Sequence, residues 1–313
     1  MKTAILGVWH VHTEDYLKTA MKYGEVVGVY DENESKRKEF CEKWGLKEFE
    51  SLEALLESPA EGVIVCSATN KHTDYIIKAA KAKKHIFTEK VLSIKPEDSL
   101  KIKEEIENNK VNFVISMVKK YNAPVRTVKK ITDSGELGKI NYFRYRNCHG
   151  GSIDGWLPAH FYSKEQCGGG AMMDLGAHGM YLAYWFLGMP EIFSSAFTIA
   201  CENPKNKDNV EDNAVTMMSY TDGAIALNET GFVSKCCPAV LEIGGENGYV
   251  KMVDNKVMKA TLKTQEEWVD VPLEEELPSP LVQFLTNKAD GDCGIDDAVA
   301  LTVMMDKAYN KAI

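Results

Sequence analysis

The chain has 313 residues, 44% of them hydrophobic, which exceeds the usual size of one hydrophobic core, and two domains are expected. Its formal net charge of -9 argues against binding to nucleic acid or to an anionic membrane surface. The apolar run near the N-terminus is too short for a signal peptide or a membrane span, so we expect a cytoplasmic protein with no membrane contact. The eight cysteines include no C-x-x-C pair, so reduced, structural thiols are expected.

The first part of the chain, to about residue 116, alternates short β-rich runs with charged helical segments. Strands are predicted in KTAILG, EVVGVYD, EGVIVCS, KHIFTEK and VNFVISM, and helices over 34–44, 71–82 and 95–109. This alternation is typical of βαβ units in a doubly wound parallel sheet. Right-handed crossovers then bring the carboxyl ends of the strands to one crevice. We place this α/β domain at residues 1–119.

The second part has a different pattern, with longer alternating runs that favour antiparallel strands. These runs are NYFRYRN, NAVTMMSYT, GAIALNETGF and YVKMVDN. Two closing helices are predicted over 279–289 and 295–310. We therefore predict an α+β domain over 120–313 with a mainly antiparallel sheet.

The turn after the first strand has the position of a nucleotide-binding loop. Strand KTAILG leads into Gly7-Val8-Trp9-His10-Val11-His12, where a dinucleotide fold lays a pyrophosphate on a helix N-terminus. Only the first glycine of G-x-G-x-x-G is kept. Asp31 follows at the end of the second strand, where a carboxylate bonds the ribose 2'-hydroxyl and favours NAD over NADP. A simple turn at Asp31 is the alternative.

His10 and His12 also form an H-x-H pattern at a strand end, as in some metal hydrolases. A zinc site needs three or four ligands. The other histidines, at positions 72, 85, 149, 160 and 178, show no matching strand-end pattern. From the sequence we therefore predict no metal site.

Two further strand ends carry polar groups. Ser67-Ala68-Thr69-Asn70-Lys71-His72 follows the third strand, and Glu89-Lys90 ends the fourth. A lysine at the carboxyl end of a central strand lies where ligands bind in open α/β sheets, although a lone lysine is more often on the surface.

An apolar helix in the second domain contains two polar residues. Gly168-Gly169-Gly170 opens AMMDLGAHGMYLAYWFLG, in which Asp174 and His178 are four residues apart and share one face. Buried polar groups must be partnered or must face a cavity. The pair is either structural or a general base, His178, oriented by Asp174.

These segments together resemble the glucose-fructose oxidoreductase and inositol dehydrogenase family, Gfo/Idh/MocA. The matches are VVGVYD, SATNKH, KHIFTEK, SGELGKI and GGGAMMDLGAHGMYLAYWFLG, in family order and spacing. The resemblance implies a Rossmann domain that binds NAD(P) and a second domain with an open-faced sheet, with a sugar or polyol substrate held between them. Since an open face needs a cover, a homodimer or homotetramer is expected. Trp9 and His12 stand where the family has small residues, and Val91 replaces the proline after Lys90.

The resemblance also implies the roles of individual residues. The family's E-K-P lysine falls on Lys90, and its D-x-x-x-H pair falls on Asp174 and His178. His178 would take the hydroxyl proton as hydride leaves the carbon, and Lys90 would bond the developing alkoxide. The cofactor contacts would come from the strand-end residues Gly7, Trp9, His10, Val11, Asp31, Ser67, Ala68, Thr69, His72, Glu89 and Lys90.

The segment 147–162 is rich in aromatic and imidazole groups, which stack on and hydrogen-bond to sugar rings. We take His149, Trp156 and His160 from it as substrate-binding candidates, beside Lys90, Asp174 and His178; an ordinary packing loop is the alternative. The leading hypothesis is NAD-dependent oxidation of a ring CH-OH in a sugar, sugar derivative or cyclitol. Two rivals stay open: redox-neutral glycoside cleavage by tightly held NAD, and a non-catalytic binding or regulatory protein.

Overall fold

The computed structural model describes residues 1–288 and 291–312. The chain forms two compact units, the first of residues 1–117 and 278–302 and the second of residues 118–277 and 303–313. The segment 278–302, which the sequence-based division assigned to the second domain, thus lies with the first unit. Phe284 explains this placement, because it is fully buried and its ring lies 6.0 Å from that of Phe87 in the same unit.

The first unit is built on a five-stranded parallel sheet in the order β2-β1-β3-β4-β5. Its central strands are buried on both faces, which explains their continuous apolar runs. Glu48 forms a parallel bridge with Val29 of β2 and so extends the sheet by one position at this edge. With this addition, the strand order is that of a dinucleotide-binding sheet. The strands are β1 (Lys2–Leu6), β2 (Glu25–Tyr30), β3 (Gly62–Val65), β4 (His85–Thr88) and β5 (Phe113–Ile115).

The helices of this part follow the predicted pattern. Asn33 caps α2 by accepting from the Lys36 N–H, and Pro96 occupies the first turn of α5, where a proline is tolerated. The five helices are α1 (Thr13–Tyr23), α2 (Glu34–Trp44), α3 (Leu52–Leu56), α4 (Thr69–Lys81) and α5 (Pro96–Asn109).

The second unit contains an eight-stranded sheet in the order β13-β12-β11-β10-β6-β9-β8-β7. All neighbouring strands are antiparallel except β6 and β9, which are parallel. The predicted fold class is therefore confirmed. The strands are β6 (Ile140–Cys148), β7 (Ile192–Thr198), β8 (Asn213–Ser219), β9 (Ile225–Gly231), β10 (Val240–Gly245), β11 (Gly248–Val253), β12 (Lys256–Thr261) and β13 (Val269–Val271).

Helices pack against one face of this sheet: α6 lies on β10 to β12, and α8 lies on β6 and β9. A π-helical turn, Met172–Gly176, leads directly into α8. The helices of the rest of the chain are α6 (Ala123–Asp133), α7 (Lys164–Cys167), α8 (Ala177–Leu187), α9 (Pro280–Leu285) and α10 (Ile295–Asn310).

The predicted helix over 279–289 is shorter in the structure. It ends at Leu285, and Asn287 has a φ of 55°, which a continuing right-handed helix does not allow. The last residue of that prediction, 289, lies outside the described residues. Within the described chain, we find no helix whose length and apolar character would suffice to cross a bilayer.

Candidate functional site

The turn after β1 is set by Gly7. Its φ is 92°, and a Cβ there would lie 2.6 Å from the Cα and N of Ser67 at the end of β3. Its N–H donates to the Tyr30 carbonyl at 2.7 Å. Glycine is therefore required where β1 and β3 approach, which agrees with the predicted nucleotide-binding corner.

Trp9 and His10 of this turn use their backbone N–H groups in hydrogen bonds within the protein. The N–H groups of Trp9 and His10 both donate to the Cys66 carbonyl, at 3.2 and 3.0 Å. In a glycine-rich loop such donors point to phosphate. This turn therefore offers a bound anion mainly side chains and the N-terminus of α1, where Val11 is exposed.

Asp31 lies directly beside this turn, as its spacing predicted. One carboxylate oxygen accepts from the Val8 N–H at 2.7 Å, and the other accepts from the Asn33 N–H at 2.8 Å. Each oxygen keeps a second lone pair, so that the carboxylate can still accept from a ribose hydroxyl. Asp31 also starts the turn toward α2, which was the alternative, and its contact with a ribose stays a prediction.

Glu89 is the centre of a buried polar cluster at the end of β4. Its side chain is 2% exposed, and its Oε1 accepts from the Tyr16 hydroxyl and lies 2.8 Å from His12 Nδ1 and 3.7 Å from His10 Nδ1. Burial alone would raise the pKa of the Glu89 carboxyl, but His10, His12 and Lys90 together hold it well below its usual range. The carboxylate is therefore ionised.

Tyr16 is a member of this cluster that sequence reasoning missed. Its hydroxyl contacts Ser116 Oγ at 2.7 Å besides Glu89, and burial followed by the Glu89 charge raises its pKa well above the usual value. Its position four residues after His12, on the same face of a helix, was the signal available in the sequence.

Lys90 follows Glu89 and is buried, with its N–H donating to Glu89 Oε2 at 3.0 Å. The Lys90–Val91 peptide bond is cis. His72 lies behind this segment: its Nδ1 is 3.0 Å from the Val91 carbonyl and its Nε2 is 3.2 Å from the Ser67 carbonyl. Burial lowers the pKa of His72, and the carbonyl contacts at both ring nitrogens oppose that effect. The ring packs between two strand ends, and its contact with the cofactor stays a prediction.

The end of β3 contains two buried polar atoms that have no hydrogen-bond partner among the residues the structure describes. They are Ser67 Oγ and Asn70 Oδ1. Ala68 and Thr69 begin α4 between them. Because buried polar atoms are normally satisfied, this strand end is suited to a ligand that offers hydrogen-bonding groups.

In the second unit, Glu211 fixes the glycine-rich start of the predicted catalytic helix. Its Oε1 accepts from the N–H groups of Gly170 and Met172, each at 3.0 Å, and from the Tyr309 hydroxyl at 2.6 Å. A Cβ on Gly170 would lie 2.0 Å from the Glu211 carbonyl oxygen. Gly170 is needed because the backbone of Glu211 packs directly on it, and Gly169 because the Tyr309 side chain does. Glu211 was not identified from the sequence.

His178 is oriented by Tyr181, which the sequence analysis did not identify. His178 Nδ1 lies 2.8 Å from the Tyr181 hydroxyl, and that hydroxyl oxygen accepts from the Lys119 N–H at 3.0 Å. With its second lone pair the oxygen can also accept an Nδ1–H of His178, which leaves Nε2 as the basic atom. Asp174 and His178 are half-buried rather than enclosed, and the intervening π-helical turn changes the α-helical spacing between them.

Asp174 acts on His149, because its charge opposes the effect of burial, which lowers the pKa of that imidazole. His149 stacks on Phe232 with ring centroids 5.0 Å apart, and Trp156 lies 4.7 Å away on the same loop and is exposed. The structure thus brings together Asp174, His149 and Trp156 of the predicted substrate-binding set. His160 lies on a short 3-10 helix beside Phe161.

Comparison with known proteins gives the family. Residues 1–117 match the model described as oxidoreductase family, NAD-binding Rossmann fold, and residues 125–251 match the GFO/IDH/MocA C-terminal domain. The chain therefore belongs to the GFO/IDH/MocA oxidoreductase family. Its first unit is an NAD-binding Rossmann domain, as predicted.

The sequence identity to individual relatives is low. The chain is 27% identical over 226 residues to myo-inositol 2-dehydrogenase of Thermotoga maritima, covering 71% of this chain and 64% of that protein. It is 27% identical over 222 residues to scyllo-inositol 2-dehydrogenase (NAD(+)) of Bacillus subtilis, covering 70% and 62%. The matched part thus spans slightly less than two thirds of these relatives. A solved levoglucosan dehydrogenase in complex with NADH and levoglucosan shares the fold, with a TM-score of 0.85, 17% identity and coverage of 99% and 96%.

The polar groups at the strand ends of the first unit are of the types that bind NAD. Asp31 offers a carboxylate for ribose hydroxyls, and the unpartnered Ser67 Oγ and Asn70 Oδ1 offer further polar contacts. Arg37 donates to the Asp31 carbonyl at 2.8 Å and lies 3.4 Å from Glu48, so its guanidinium is already engaged. This arrangement suits a cofactor without a 2'-phosphate.

Glu211 generates a prediction about pH and stability. Burial raises its pKa in the folded protein, so the folded state holds the proton more tightly than the unfolded state. The Glu211 carboxyl therefore makes its full contribution to the free energy of unfolding below the ordinary glutamate pKa of about 4.3. That contribution is lost as the pH rises through the pKa that Glu211 has in the folded protein. Glu211→Gln keeps an oxygen acceptor but does not titrate. We expect the melting temperature of wild type, relative to Glu211→Gln, to fall from pH 4 to pH 8.

The control is Glu246→Gln, on an exposed turn of the same unit, whose melting temperature should follow wild type across the pH range. A constant difference between wild type and Glu211→Gln at every pH would contradict the prediction.

Proposed function

We propose that this protein is an NAD-dependent dehydrogenase that transfers a hydride from a ring CH-OH of a sugar, sugar derivative or cyclitol. Membership in an oxidoreductase family supports this reaction class, and the inositol dehydrogenases among its relatives support the substrate class. One observation carries the proposal. The chain has a buried lysine, Lys90, at a strand end of the NAD-binding domain, and it has an oriented imidazole, His178, in the other unit.

In this proposal His178 is the general base. Tyr181 accepts from Nδ1–H, so that Nε2 can take the proton of the substrate hydroxyl. Imidazole is the side chain that most often serves as a general base at neutral pH. Asp174 keeps a negative charge close by, which favours the imidazolium that forms.

Lys90 is assigned to the developing alkoxide. Its ammonium would bond the oxygen as the proton leaves, a stabilisation that often lowers the barrier by about 3 kcal/mol. NAD, when bound, supplies the carbon that accepts the hydride. His149 and Trp156 offer an aromatic surface and a hydrogen-bonding ring for a sugar, with His160 as a further contact on the same segment.

The preference for NAD over NADP is assigned to Asp31. Its carboxylate would repel a 2'-phosphate, and Arg37, which could otherwise pair with that phosphate, is held by the Asp31 carbonyl and Glu48. The cofactor contacts assigned to Gly7, Trp9, His10, Val11, Ala68, Thr69 and Glu89 remain part of this proposal. The cytoplasm is the proposed location, since eight free cysteines suit a reducing compartment.

The catalytic assignment predicts large rate losses in two variants. Lys90→Ala and His178→Ala should each lower kcat/KM by about 100-fold or more, because each removes a group that acts mainly in the transition state. The assay follows the absorbance of reduced nicotinamide with NAD and a panel of myo-inositol, scyllo-inositol, glucose 6-phosphate and methyl glucoside. The matched control is Lys101→Ala, an exposed lysine on α5, which should keep the wild-type rate.

Tyr181→Phe separates positioning from chemistry within this prediction. The variant keeps the ring but loses the oxygen that faces His178 Nδ1, so we expect kcat to fall about tenfold with little change in KM and a shifted pH profile. Full turnover in Lys90→Ala or His178→Ala would contradict the site, and an unchanged pH profile in Tyr181→Phe would remove its positioning role.

We also propose a homodimer or homotetramer formed through the uncovered face of the eight-stranded sheet. The outward residues of β8 and β9 include the exposed Val215, Met217 and Ile225, beside Arg144 paired with Glu229 at 2.8 Å. Apolar side chains in a contiguous exposed patch are typical of an interface. A second copy of the same face can cover them and satisfy closed symmetry.

Light scattering of the eluting protein tests the assembly. We expect a mass of two or four times 34.9 kDa, and a lower mass for Met217→Lys, which places a charge in the interface. Lys256→Glu, at the exposed start of β12, is the control and should leave the mass unchanged. A wild-type mass of 34.9 kDa would contradict the assembly.

A further inference from the structure

We propose that His10, His12 and Glu89 form a binding site for one divalent transition-metal ion of the zinc class. The inference goes beyond the proposed function and does not depend on it, since all three residues belong to the first unit and the ion needs no bound nucleotide. The sequence predicted no metal site because a third ligand was sought among the histidines. The structure supplies a carboxylate instead, from 77 residues further along the chain.

The donor set matches the chemistry of such ions. Two imidazole nitrogens and one carboxylate oxygen are the usual protein ligands of open zinc, iron and nickel sites, and they leave at least one position for water or another oxygen. Hard cations such as magnesium prefer oxygen donors throughout, so two imidazoles argue for the softer class.

The three ligand atoms are already close enough to share one ion. All lie within 4.8 Å of one another, with His12 Nδ1 at 2.8 Å and His10 Nδ1 at 3.7 Å from Glu89 Oε1. Ligands placed about 2.0 to 2.2 Å from a tetrahedral metal are separated by roughly 3.3 to 3.6 Å. Both distances to Glu89 Oε1 therefore lie within about 1 Å of this separation, and the two imidazole nitrogens, which are at most 4.8 Å apart, need to approach by no more than about 1.5 Å.

Two of the three ligands are held rigidly before any ion binds. The Glu89 N–H donates to the Val65 carbonyl at 3.2 Å, and its second carboxylate oxygen is fixed by the Lys90 N–H. His10 is anchored by its own N–H on the Cys66 carbonyl and is 6% exposed at the side chain. Such preorganisation lowers the cost of assembling the site.

Tyr16 and Ser116 support the carboxylate from behind. The Tyr16 hydroxyl donates to Glu89 Oε1 and is 2.7 Å from Ser116 Oγ, the kind of outer contact that orients a ligating carboxylate. His12 is the ligand at the surface, with 52% of its side chain exposed. The ion would reach the site along this side, where its remaining position also lies.

The competing explanation is that the imidazoles only offset the buried Glu89 charge, His12 through a hydrogen bond at 2.8 Å and His10 through its charge at 3.7 Å. His10 Nδ1 also accepts from the His12 N–H at 3.2 Å, and an ion bound at that nitrogen would replace this hydrogen bond. A ring N–H facing a carboxylate is also the arrangement in which a metal replaces the proton. The two explanations differ in one respect: only the metal site binds an ion stoichiometrically and loses it when His12 is removed.

The test uses the full-length, tag-free protein after treatment with a chelator. CoCl₂ is titrated while visible absorption is followed, and ZnCl₂ binding is measured by calorimetry. We expect one ion per chain, a Co²⁺ spectrum of low coordination number, and a Kd of about 1 μM or tighter. His12→Ala should weaken binding by at least about 100-fold, whereas Tyr16→Phe, which removes only a supporting contact, should weaken it by roughly 10-fold.

Matched variants keep the test decisive. His85→Asn removes a histidine of the same unit outside the cluster, and Cys236→Ser removes an exposed thiol that could bind either ion; both should bind as wild type. If the melting temperature shows that His12→Ala is unfolded, Glu89→Gln, which keeps the side-chain shape, takes its place. Absence of binding in wild type, or binding that survives in His12→Ala and Glu89→Gln, would overturn the proposal.

Discussion

The ionised carboxylate of Glu89 is the constraint on which the first unit's site depends. A buried charge without partners is far too costly to keep, so the chain must bring donors to it from distant segments. His12 and Tyr16 come from α1, Ser116 supports Tyr16 from the end of β5, and the Lys90 N–H comes from the next residue. The same contacts determine where Lys90 leaves the sheet. His10 and His12 of the turn are thus explained as partners of Glu89 rather than as lost glycines.

In the second unit, the buried carboxyl group of Glu211 is likewise supplied with hydrogen-bond donors. This carboxylate fixes the start of the segment that leads to His178, and Tyr181 then orients the imidazole one turn later. The π-helical turn between them is a local departure from α-helical geometry of the kind that often marks functional sites. Each unit therefore has a buried acid behind a functional group, which is Lys90 in the first unit and the half-buried His178 in the second.

The fold was accessible from the sequence because alternation and strand-end chemistry are local. Strand β1, helix α2 and helix α5 have the predicted limits to within a residue, and the turn at Gly7 and the placement of Asp31 followed from spacing. The roles of Tyr16, Tyr181 and Glu211 were not predicted, although the spacing of Tyr16 from His12 was a usable signal. Tyr16 reaches Glu89 across 73 positions and Glu211 reaches Gly170 across 41, and no periodicity encodes such contacts. A π-helical turn likewise has no simple sequence pattern, so the spacing of Asp174 and His178 could not reveal the contact between His178 and Tyr181.

The central claim is that a turn built around imidazoles, rather than glycines, still holds NAD beside Asp31. Calorimetric titration of the purified protein with NAD and, separately, NADP tests this most directly, because it requires no knowledge of the substrate. The account predicts saturable binding of one NAD per chain with a Kd below about 1 mM, and binding of NADP at least about tenfold weaker. No binding of NAD at millimolar concentration, or equal affinity for the two nucleotides, would contradict it.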